Sequence, residues 1–309
     1  MSSFPKLSGK AVLSPMSGVT DVAFRALAKK YGAALTYTEF VSGTAIVRGN
    51  KSSLRIIETD PSEKPVAVQL FGSSVEDVVE AAKFVSDRFD IIDVNCGCPA
   101  WKVIKTGAGS EMLKKPGGIS HFVNRLASAV NNPITVKIRM GIDNQSINAV
   151  EVAKIIEDSG AAAIGIHGRT QQQGYSGQAN WDIIKKVKDA VNIPVIGNGD
   201  VFSPEVFKKR LEESGVDYIM IARAAMGNPA IFMQINDFMK KGSYGAVQPI
   251  SLFFEYLKLA EKYDIPFTSI KSHAMSFTKG IVGGARLRER IMLCKSSNEL
   301  PSILENNNA

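Results

Sequence analysis

The chain has 309 residues, of which 45% are hydrophobic, and it carries a formal net charge of +7 at pH 7. These values exclude a disordered or low-complexity chain and fit an ordinary globular protein with a large core. The basic excess favours an anionic partner, with nucleic acid ahead of a membrane because no basic amphipathic helix stands out.

The chain has three cysteines, which is too few for a disulfide framework and indicates a reducing compartment. Cys96 and Cys98 form a Cys-x-Cys pair, but no further pair supplies the roughly four ligands of a zinc site, so we predict no metal. The first residues contain no apolar signal-peptide core, and no run of about 18 apolar residues could span a membrane. We therefore expect a cytoplasmic protein with no membrane partner.

Short apolar runs alternate with amphipathic segments from the start of the chain. The eight predicted strands are 11–14, 35–40, 66–71, 91–95, 134–140, 162–167, 194–198 and 218–222. The helices predicted between them are 21–30, 75–88, 119–130, 146–159, 181–191 and 204–214. This alternation indicates a parallel sheet, and eight strands indicate closure into an α/β fold of the (β/α)8 TIM-barrel type. A doubly wound open sheet is the alternative, but it usually has fewer strands, and its Gly-x-Gly-x-x-Gly fingerprint is absent after the first strand.

The pattern changes after about residue 235, where no strand pair is recognisable. The helices predicted beyond this point are 252–263, 267–279 and 285–293. We therefore expect a barrel domain at 1–240 and a small all-helical domain at 241–309, with a frayed tail at 305–309. Three arginines near the end of the helical domain form either a solvated helix face or an edge that contacts phosphates: Arg286, Arg288 and Arg290.

The most informative segment is Asp-Val-Asn-Cys-Gly-Cys-Pro at 93–99, directly after a buried apolar run. A thiol at the tip of a strand, beside an amide, is a candidate acid or nucleophile, which singles out Cys98 and Asn95. An isolated cysteine in such a turn is more often a small packed residue. Other predicted strands, however, also end in polar residues: Gln69, Lys137, His167 and Asn198. In a barrel these strand ends converge on one face, where active sites lie.

The chemistry of these strand ends indicates a phosphorylated cofactor. Lys137 alternates with apolar neighbours and should point into the barrel, where it needs an anionic or electron-rich partner. Gly199 and Arg223 follow strands seven and eight, whose loops usually bind phosphate in this fold. Together with the Gln69 amide, this set suits flavin mononucleotide (FMN) lying across the barrel mouth.

At this point the sequence resembles the tRNA-dihydrouridine synthases. The matching segments, in order, are SPMSGVTDVAFR, VQLFG, DVNCGCP, GAGSEML, VKIRMG, HGRTQQQGYSGQANW, GNGD and ARAAMGNPAIF, between residue 11 and about residue 235. One such motif would be weak evidence, but the ordered combination is specific. Four residues depart from what is common in the family, and none of them removes a catalytic group: Ser14, Cys96, Asn180 and Ala222.

The resemblance implies an FMN-bound barrel that reduces the C5–C6 double bond of uridine in tRNA, with NADPH restoring the flavin and a C-terminal helical domain helping to hold the tRNA. By the same resemblance, Cys98 protonates C5 while hydride from the reduced flavin reaches C6, and Asn95 holds the uracil. Arg139 and His167 line the pocket between the two rings, with Arg139 assigned to the substrate and His167 to the cofactor. The other residues implied to hold FMN are Pro15, Met16, Ser17, Gln69, Lys137, Asn198, Gly199, Asp200, Ala222 and Arg223.

Two alternatives stay open at this stage. One is another FMN-dependent barrel oxidoreductase, resembling dihydroorotate dehydrogenase, that acts on a free pyrimidine; the basic charge and the added helices argue against it. The other is a non-catalytic RNA-binding protein that keeps the barrel as a scaffold. The intact Cys98, Lys137 and phosphate loop argue against that second alternative.

Overall fold

Eight parallel strands form one sheet in the computed structural model, which describes residues 2–305. They are β1 Ala11–Leu13, β2 Thr36–Ser42, β3 Val66–Phe71, β4 Ile91–Cys96, β5 Ile134–Arg139, β6 Ala163–His167, β7 Val195–Asn198 and β8 Tyr218–Ile221. Each strand pairs with the next along the chain from β2 to β8, and β8 pairs with β1. Two backbone hydrogen bonds of 2.9 Å, from Leu13 N to Leu35 O and from Ala34 N to Ala11 O, join β1 to the residues before β2. The sheet therefore closes on itself, and the predicted barrel is confirmed.

Helices alternate with these strands and continue after the last one. They are α1 Val22–Lys30, α2 Gly43–Val47, α3 Lys51–Ile56, α4 Val75–Val85, α5 Trp101–Ile104, α6 Pro116–Ala129, α7 Ala149–Asp158, α8 Trp181–Ala190, α9 Pro204–Ser214, α10 Ile231–Lys241, α11 Pro249–Lys262, α12 Phe267–Phe277, α13 Gly284–Leu293 and α14 Leu300–Glu305. None of these helices is both long and apolar enough to cross a membrane.

Local sequence signals explain where the barrel helices begin and end. Asp21 caps α1 by accepting a hydrogen bond from Phe24 N at 2.9 Å, and Ser203 caps α9 in the same way through Val206 N at 3.3 Å. Gly215 ends α9 in the left-handed conformation, with φ of 66°, which costs glycine little because it has no Cβ. These capping residues fix where the loops after β1 and β7 give way to helices α1 and α9.

The C-terminal helices pack against the outside of the barrel at α1. Tyr256 of α11 donates a hydrogen bond to Asp21 Oδ2 at 3.0 Å, and His273 Nε2 of α12 lies 3.1 Å from the same oxygen. Phe253 and Phe24 are fully buried and belong to one continuous apolar cluster. The predicted boundary at 240/241 falls at the last residue of α10, and residues 306–309 of the predicted tail lie outside the described residues.

Candidate active site

A cavity of about 650 Å³ opens at the carboxyl ends of the strands. Every residue that the sequence analysis assigned to the site lines it: Pro15, Met16, Ser17, Gln69, Asn95, Cys98, Lys137, Arg139, His167, Asn198, Gly199, Asp200, Ala222 and Arg223. The barrel brings them together because the ends of parallel strands meet at one face. Their common location follows from the fold, whereas their individual roles stay predictions.

A chain of buried hydrogen bonds crosses three adjacent strands at the base of this cavity. Thr135 Oγ1 donates to Asp93 Oδ1 at 2.5 Å, and Gln69 Nε2 donates to Asp93 Oδ2 at 2.7 Å. Asn95 Nδ2 donates to Gln69 Oε1 at 2.7 Å, and Asn95 Oδ1 accepts from Cys98 N at 2.9 Å. We call these four side chains, Thr135, Asp93, Gln69 and Asn95, the amide relay.

The side chains of the amide relay lie on one face of the sheet because side chains alternate along each strand, and they are buried. Gln69 lies opposite Asp93 in the sheet, and Asp93 lies opposite Thr135, so their side chains share one layer inside the barrel. Asp93 is 1% exposed and Asn95 is 7% exposed. Burial raises the pKa of Asp93 to about 6, although its two hydrogen bonds and the charge of Lys137 act in the opposite direction. Asp93 is therefore mainly ionised at pH 7.

Cys98 stands at a corner that only a glycine neighbour permits. The Cys98 carbonyl accepts hydrogen bonds from Ser110 N at 3.1 Å and from Ser110 Oγ at 2.8 Å. Gly109 has a φ of 64°, and a Cβ there would lie 2.8 Å from the Cys98 carbonyl oxygen. Burial raises the pKa of the Cys98 thiol, and the nearby cations only partly oppose this effect. The thiol therefore carries its proton at neutral pH and is suited to donate it.

Arg139 ties the Cys98 corner to the loop after β6. Its Nε donates to Gly97 O at 2.8 Å, and its Nη1 donates to Thr170 O at 2.7 Å and to Gly174 O at 2.9 Å. The side chain is 3% exposed, so these carbonyl groups replace water around its charge. Arg139 consequently holds two walls of the cavity together.

Lys137 and His167 differ in charge although both line the cavity. Burial lowers the pKa of Lys137 to about 8, with Arg139 acting in the same direction, so the ammonium form still dominates at pH 7. Its Nζ donates to Asn198 Oδ1 at 3.3 Å. Burial and the surrounding cations lower the pKa of His167 to about 2, so the imidazole is neutral. A cation and a neutral ring are thus available side by side.

At the end of the cavity near β7 and β8, two arginines pair with one carboxylate. Asp200 accepts hydrogen bonds from Arg169 Nη2 at 2.7 Å, from Ala179 N at 2.7 Å and from Arg223 Nη2 at 2.8 Å. A Cβ at Gly199 would lie 2.4 Å from Ala179 Cβ, so only glycine fits beside this cluster. Because the Asp200 carboxylate is an anion that binds a guanidinium N–H of Arg223, it orients the Arg223 side chain at the cavity.

Two aromatic residues that the sequence does not predict form a rim of the cavity. Tyr175 lies with its ring 5.8 Å from the Arg139 guanidinium and 5.6 Å from that of Arg223, and Phe202 lies 5.1 Å from Arg223. Tyr175 is 66% exposed and Phe202 is 53% exposed. Both line the cavity from loops, where no periodicity marks them. The one available signal was that Tyr175 lies within the segment HGRTQQQGYSGQANW.

Among residues 2–305, no group of three or more His, Cys, Asp or Glu side chains is arranged to hold a metal ion. The site therefore offers amides, a thiol, a lysine and arginines. These groups suit hydrogen bonding, proton donation and the binding of anions.

Solved structures with a similar architecture show the fold alone. A histamine dehydrogenase from Rhizobium sp. 4-9 matches with a TM-score of 0.57 at 14% identity, over 82% of this chain and 49% of that chain. A variant of NCR from Zymomonas mobilis matches with a TM-score of 0.53 at 13% identity, over 80% of this chain and 91% of that one.

Sequence relatives match much more closely. A "Probable tRNA-dihydrouridine synthase 1" from Synechocystis sp. is 37% identical over 307 residues, covering 97% of this chain and 86% of that protein. "tRNA-dihydrouridine synthase B" from Pseudomonas aeruginosa is 39% identical over 257 residues, covering 81% and 77%, and that from Vibrio cholerae is 42% identical over 248 residues, covering 80% and 77%. The family model described as "Dihydrouridine synthase (Dus)" matches residues 12–308. The resemblance read from the motifs is thereby confirmed, and the chain belongs to the dihydrouridine synthase family.

Proposed function

We propose that this protein is a flavin-dependent oxidoreductase that reduces the C5–C6 double bond of uridines in tRNA to 5,6-dihydrouridine. Family membership supports the activity, since the relatives named above are tRNA-dihydrouridine synthases aligned over most of both chains. The observation that carries the proposal is the cavity that brings the Cys98 thiol together with Asn95, Lys137 and Arg223.

The residues around the cavity fit flavin mononucleotide. Lys137 and the Gln69 amide would hold the polar edge of the isoalloxazine, with the wall of the ring site provided by Pro15, Met16 and Ser17. Arg223 and the backbone at Gly199 would hold the phosphate, because a positively charged end with room only for glycine suits a close-fitting anion. When bound, this cofactor supplies the hydride for uracil C6, and NADPH is the proposed source of its electrons.

The chain itself supplies the proton and the orientation of the base. Cys98 holds a proton at Sγ for delivery to uracil C5, because burial keeps the thiol in its neutral form. Asn95 presents an amide to the base from a position fixed by its hydrogen bonds. Arg139 keeps the Cys98 corner against the wall that carries Tyr175. His167 lines the ring site as an uncharged group.

The helical region after residue 240 is proposed as the part that grips the tRNA. Arg286 and Arg290 are exposed on α13, whereas Arg288 donates a hydrogen bond to Thr278 O at 2.8 Å and so closes the end of α12. Two of the three arginines are therefore free to meet phosphates. The net charge of +7 favours the same partner.

Anaerobic single-turnover oxidation tests the proposal directly. The purified protein is reduced with NADPH and mixed with an unmodified tRNA transcript, and flavin absorbance and the dihydrouridine content of the RNA are followed. We expect reoxidation that requires the transcript and forms dihydrouridine in proportion. Reoxidation by free uridine monophosphate but not by tRNA would instead identify an oxidoreductase of free pyrimidines, and a protein without flavin would refute the proposal altogether.

A further inference from the structure

We propose that Asp93, acting through Gln69 and Asn95, fixes the direction of the amide relay so that Asn95 offers an N–H to the base carbonyl at position 4, and thereby selects uracil over cytosine. This inference rests on the proposed function and adds a positioning residue to it. Asp93 does not line the cavity and acts only through the two amides.

The two ends of the relay determine its direction independently of each other. At one end, Asn95 Oδ1 receives the backbone N–H groups of Gly97 at 3.2 Å and Cys98 at 2.9 Å, which can only donate. At the other end, Asp93 is a carboxylate that already accepts from Thr135 and can only accept from Gln69. Both constraints require the same order of donors and acceptors. Reversing either amide would place a donor opposite a donor or an acceptor opposite an acceptor.

The consequence for the cavity is a fixed display of donors. Asn95 Nδ2 carries two N–H groups, and only one of them is used on Gln69 Oε1. The second remains for a ligand in the cavity that Asn95 lines. An N–H at this point attracts a carbonyl oxygen and repels an amino group.

Proximity to Cys98 indicates which base atom meets this donor. Asn95 Oδ1 is bonded to the backbone N of Cys98, the residue proposed to protonate C5. In a pyrimidine ring, C4 is bonded to C5, whereas C2 lies on the opposite side of the ring. The amide next to the proton donor therefore reads position 4, which is a carbonyl oxygen in uracil and an amino group in cytosine.

Burial makes the selection strong. Gln69 and Asp93 are each 1% exposed, so a mismatched donor or acceptor there could not form a hydrogen bond with water instead. Sites that hydrogen-bond a substrate group in this way reject an analogue with the wrong group far better than apolar pockets do.

A reversal of the relay provides the test. Asn95→Asp alone places an acceptor against Gln69 Oε1 and should break the relay. In the double variant Asp93→Asn/Asn95→Asp, the new amide can donate to Gln69 Oε1, Gln69 Nε2 can donate to the new carboxylate, and the Gly97 and Cys98 N–H groups keep their acceptor. The double variant also has the same net charge as the original protein, and Asp93→Asn alone is the matched control.

The readout is the ratio of affinities for two transcripts of one tRNA. One is unmodified, and the other carries cytidine at each uridine that the original protein converts, as identified by mass spectrometry. We expect the original protein to prefer uridine, and Asp93→Asn to prefer it less, because in that variant only the Asn95 end of the amide relay still fixes the direction. Asn95→Asp should lose at least about ten-fold in affinity for the uridine transcript, because one mismatched base contact typically has an effect of this size. The double variant should regain affinity for tRNA and shift the ratio towards cytidine by about ten-fold or more.

The outcomes separate this inference from the proposed function. If the original protein converts uridine but the double variant binds the transcripts no better than Asn95→Asp does, Asp93 does not set the direction of the amide relay. The same conclusion follows if neither Asn95→Asp nor the double variant folds. In both cases this inference fails while the proposed function stands. If the original protein converts no uridine, the proposed function fails and takes the inference with it. If the double variant regains affinity for tRNA but still prefers uridine, the proposal that Asn95 contacts position 4 of the base is refuted.

Discussion

Burial raises the pKa of the Cys98 thiol more than the nearby cations lower it, so the thiol keeps its proton. We predict that Cys98→Ala lowers the single-turnover rate of uridine reduction by about 10²- to 10⁴-fold, the usual contribution of a general acid. Flavin content and tRNA affinity should not change, because the side chain is small and its backbone carbonyl, not its sulfur, bonds Ser110. Cys294→Ala is the matched control, since Cys294 is buried outside the cavity. An unchanged rate in Cys98→Ala would exclude the thiol as the donor.

Burial of the ionised Asp93 carboxylate lowers the free energy of unfolding. A residue that destabilises the folded protein in this way is retained for its function and not for stability. Its folded pKa is raised from 3.8 to about 6, so the folded state binds more protons than the unfolded state between these values. The contribution of Asp93 to the free energy of unfolding should therefore fall as the pH rises from about 4 to about 6 and stay lowered above that range. The largest effect that this shift allows is about 3 kcal/mol.

The corresponding prediction concerns Asp93→Asn, which removes the buried charge. The variant should be more stable than the original protein at pH 7, and the gain should shrink as the pH falls from 6 towards 4. Urea denaturation at several pH values measures this difference. The ionisation of Lys137 does not interfere, because the pKa of about 8 places its titration above this window. Equal or lower stability of the variant at pH 7 would contradict the argument.

The site residues that the sequence predicts are those at strand ends. Gln69 and Asn95 follow from the two-residue period of buried strands, because a polar residue there must face the barrel mouth. Tyr175 and Phe202 could not be found in this way, since their positions depend on loop contacts with Arg139 and Arg223 that no local pattern encodes. The link from Asp93 to Asn95 depends on the sheet register, which also requires the structure.

At the scale of elements, Asp21 joins helix α1 to the C-terminal helices. Its Oδ1 caps α1, and its Oδ2 meets Tyr256 and His273. We predict that Asp21→Ala lowers the free energy of unfolding by about 2–4 kcal/mol, of which the lost cap accounts for about 1 kcal/mol and the two buried partners left unpaired for the rest.

Ser203→Ala is the control for this prediction because Ser203 caps α9 and its other side-chain partner, Glu205, is exposed to solvent and not buried in the C-terminal helices. It should lower the free energy of unfolding by about 1 kcal/mol. Urea denaturation compares the two variants, and Tyr256→Phe separates the contribution of the phenol hydroxyl. Equal losses in Asp21→Ala and Ser203→Ala would mean that the contacts with α11 and α12 contribute nothing measurable.

The sequence predicts the strands better than it predicts the short helices. All eight strands lie within two residues of their predicted bounds, because each is an apolar run bounded by polar or turn residues. Helices α2, α3 and α5 span only four to six residues, which is too short for a helical period to show. Helix α10 was missed because the predicted change of pattern at about residue 235 falls within it.

At the scale of the whole molecule, the barrel and the C-terminal helices share one apolar cluster. Folding of the helical region therefore depends on the barrel surface that it covers, and its orientation towards the cavity is fixed by Asp21 and its partners. A tRNA held on α13 would consequently be held in a constant relation to the barrel mouth. This arrangement predicts that charge changes on α13 alter RNA binding without altering the flavin site.

Arg286→Glu is the direct test, because Arg286 is exposed on α13 and has no part in the Arg288 contact with Thr278. We predict weaker tRNA binding and a dependence of log affinity on log salt that is shallower by about one unit, since each lost phosphate contact releases about one counterion fewer. Flavin content should be unchanged. Arg125→Glu makes the same change of charge on an exposed site of α6 and controls for net charge. Equal effects of the two variants would show that overall charge, and not α13, attracts the RNA, whereas a selective effect of Arg286→Glu would place phosphates on this helix.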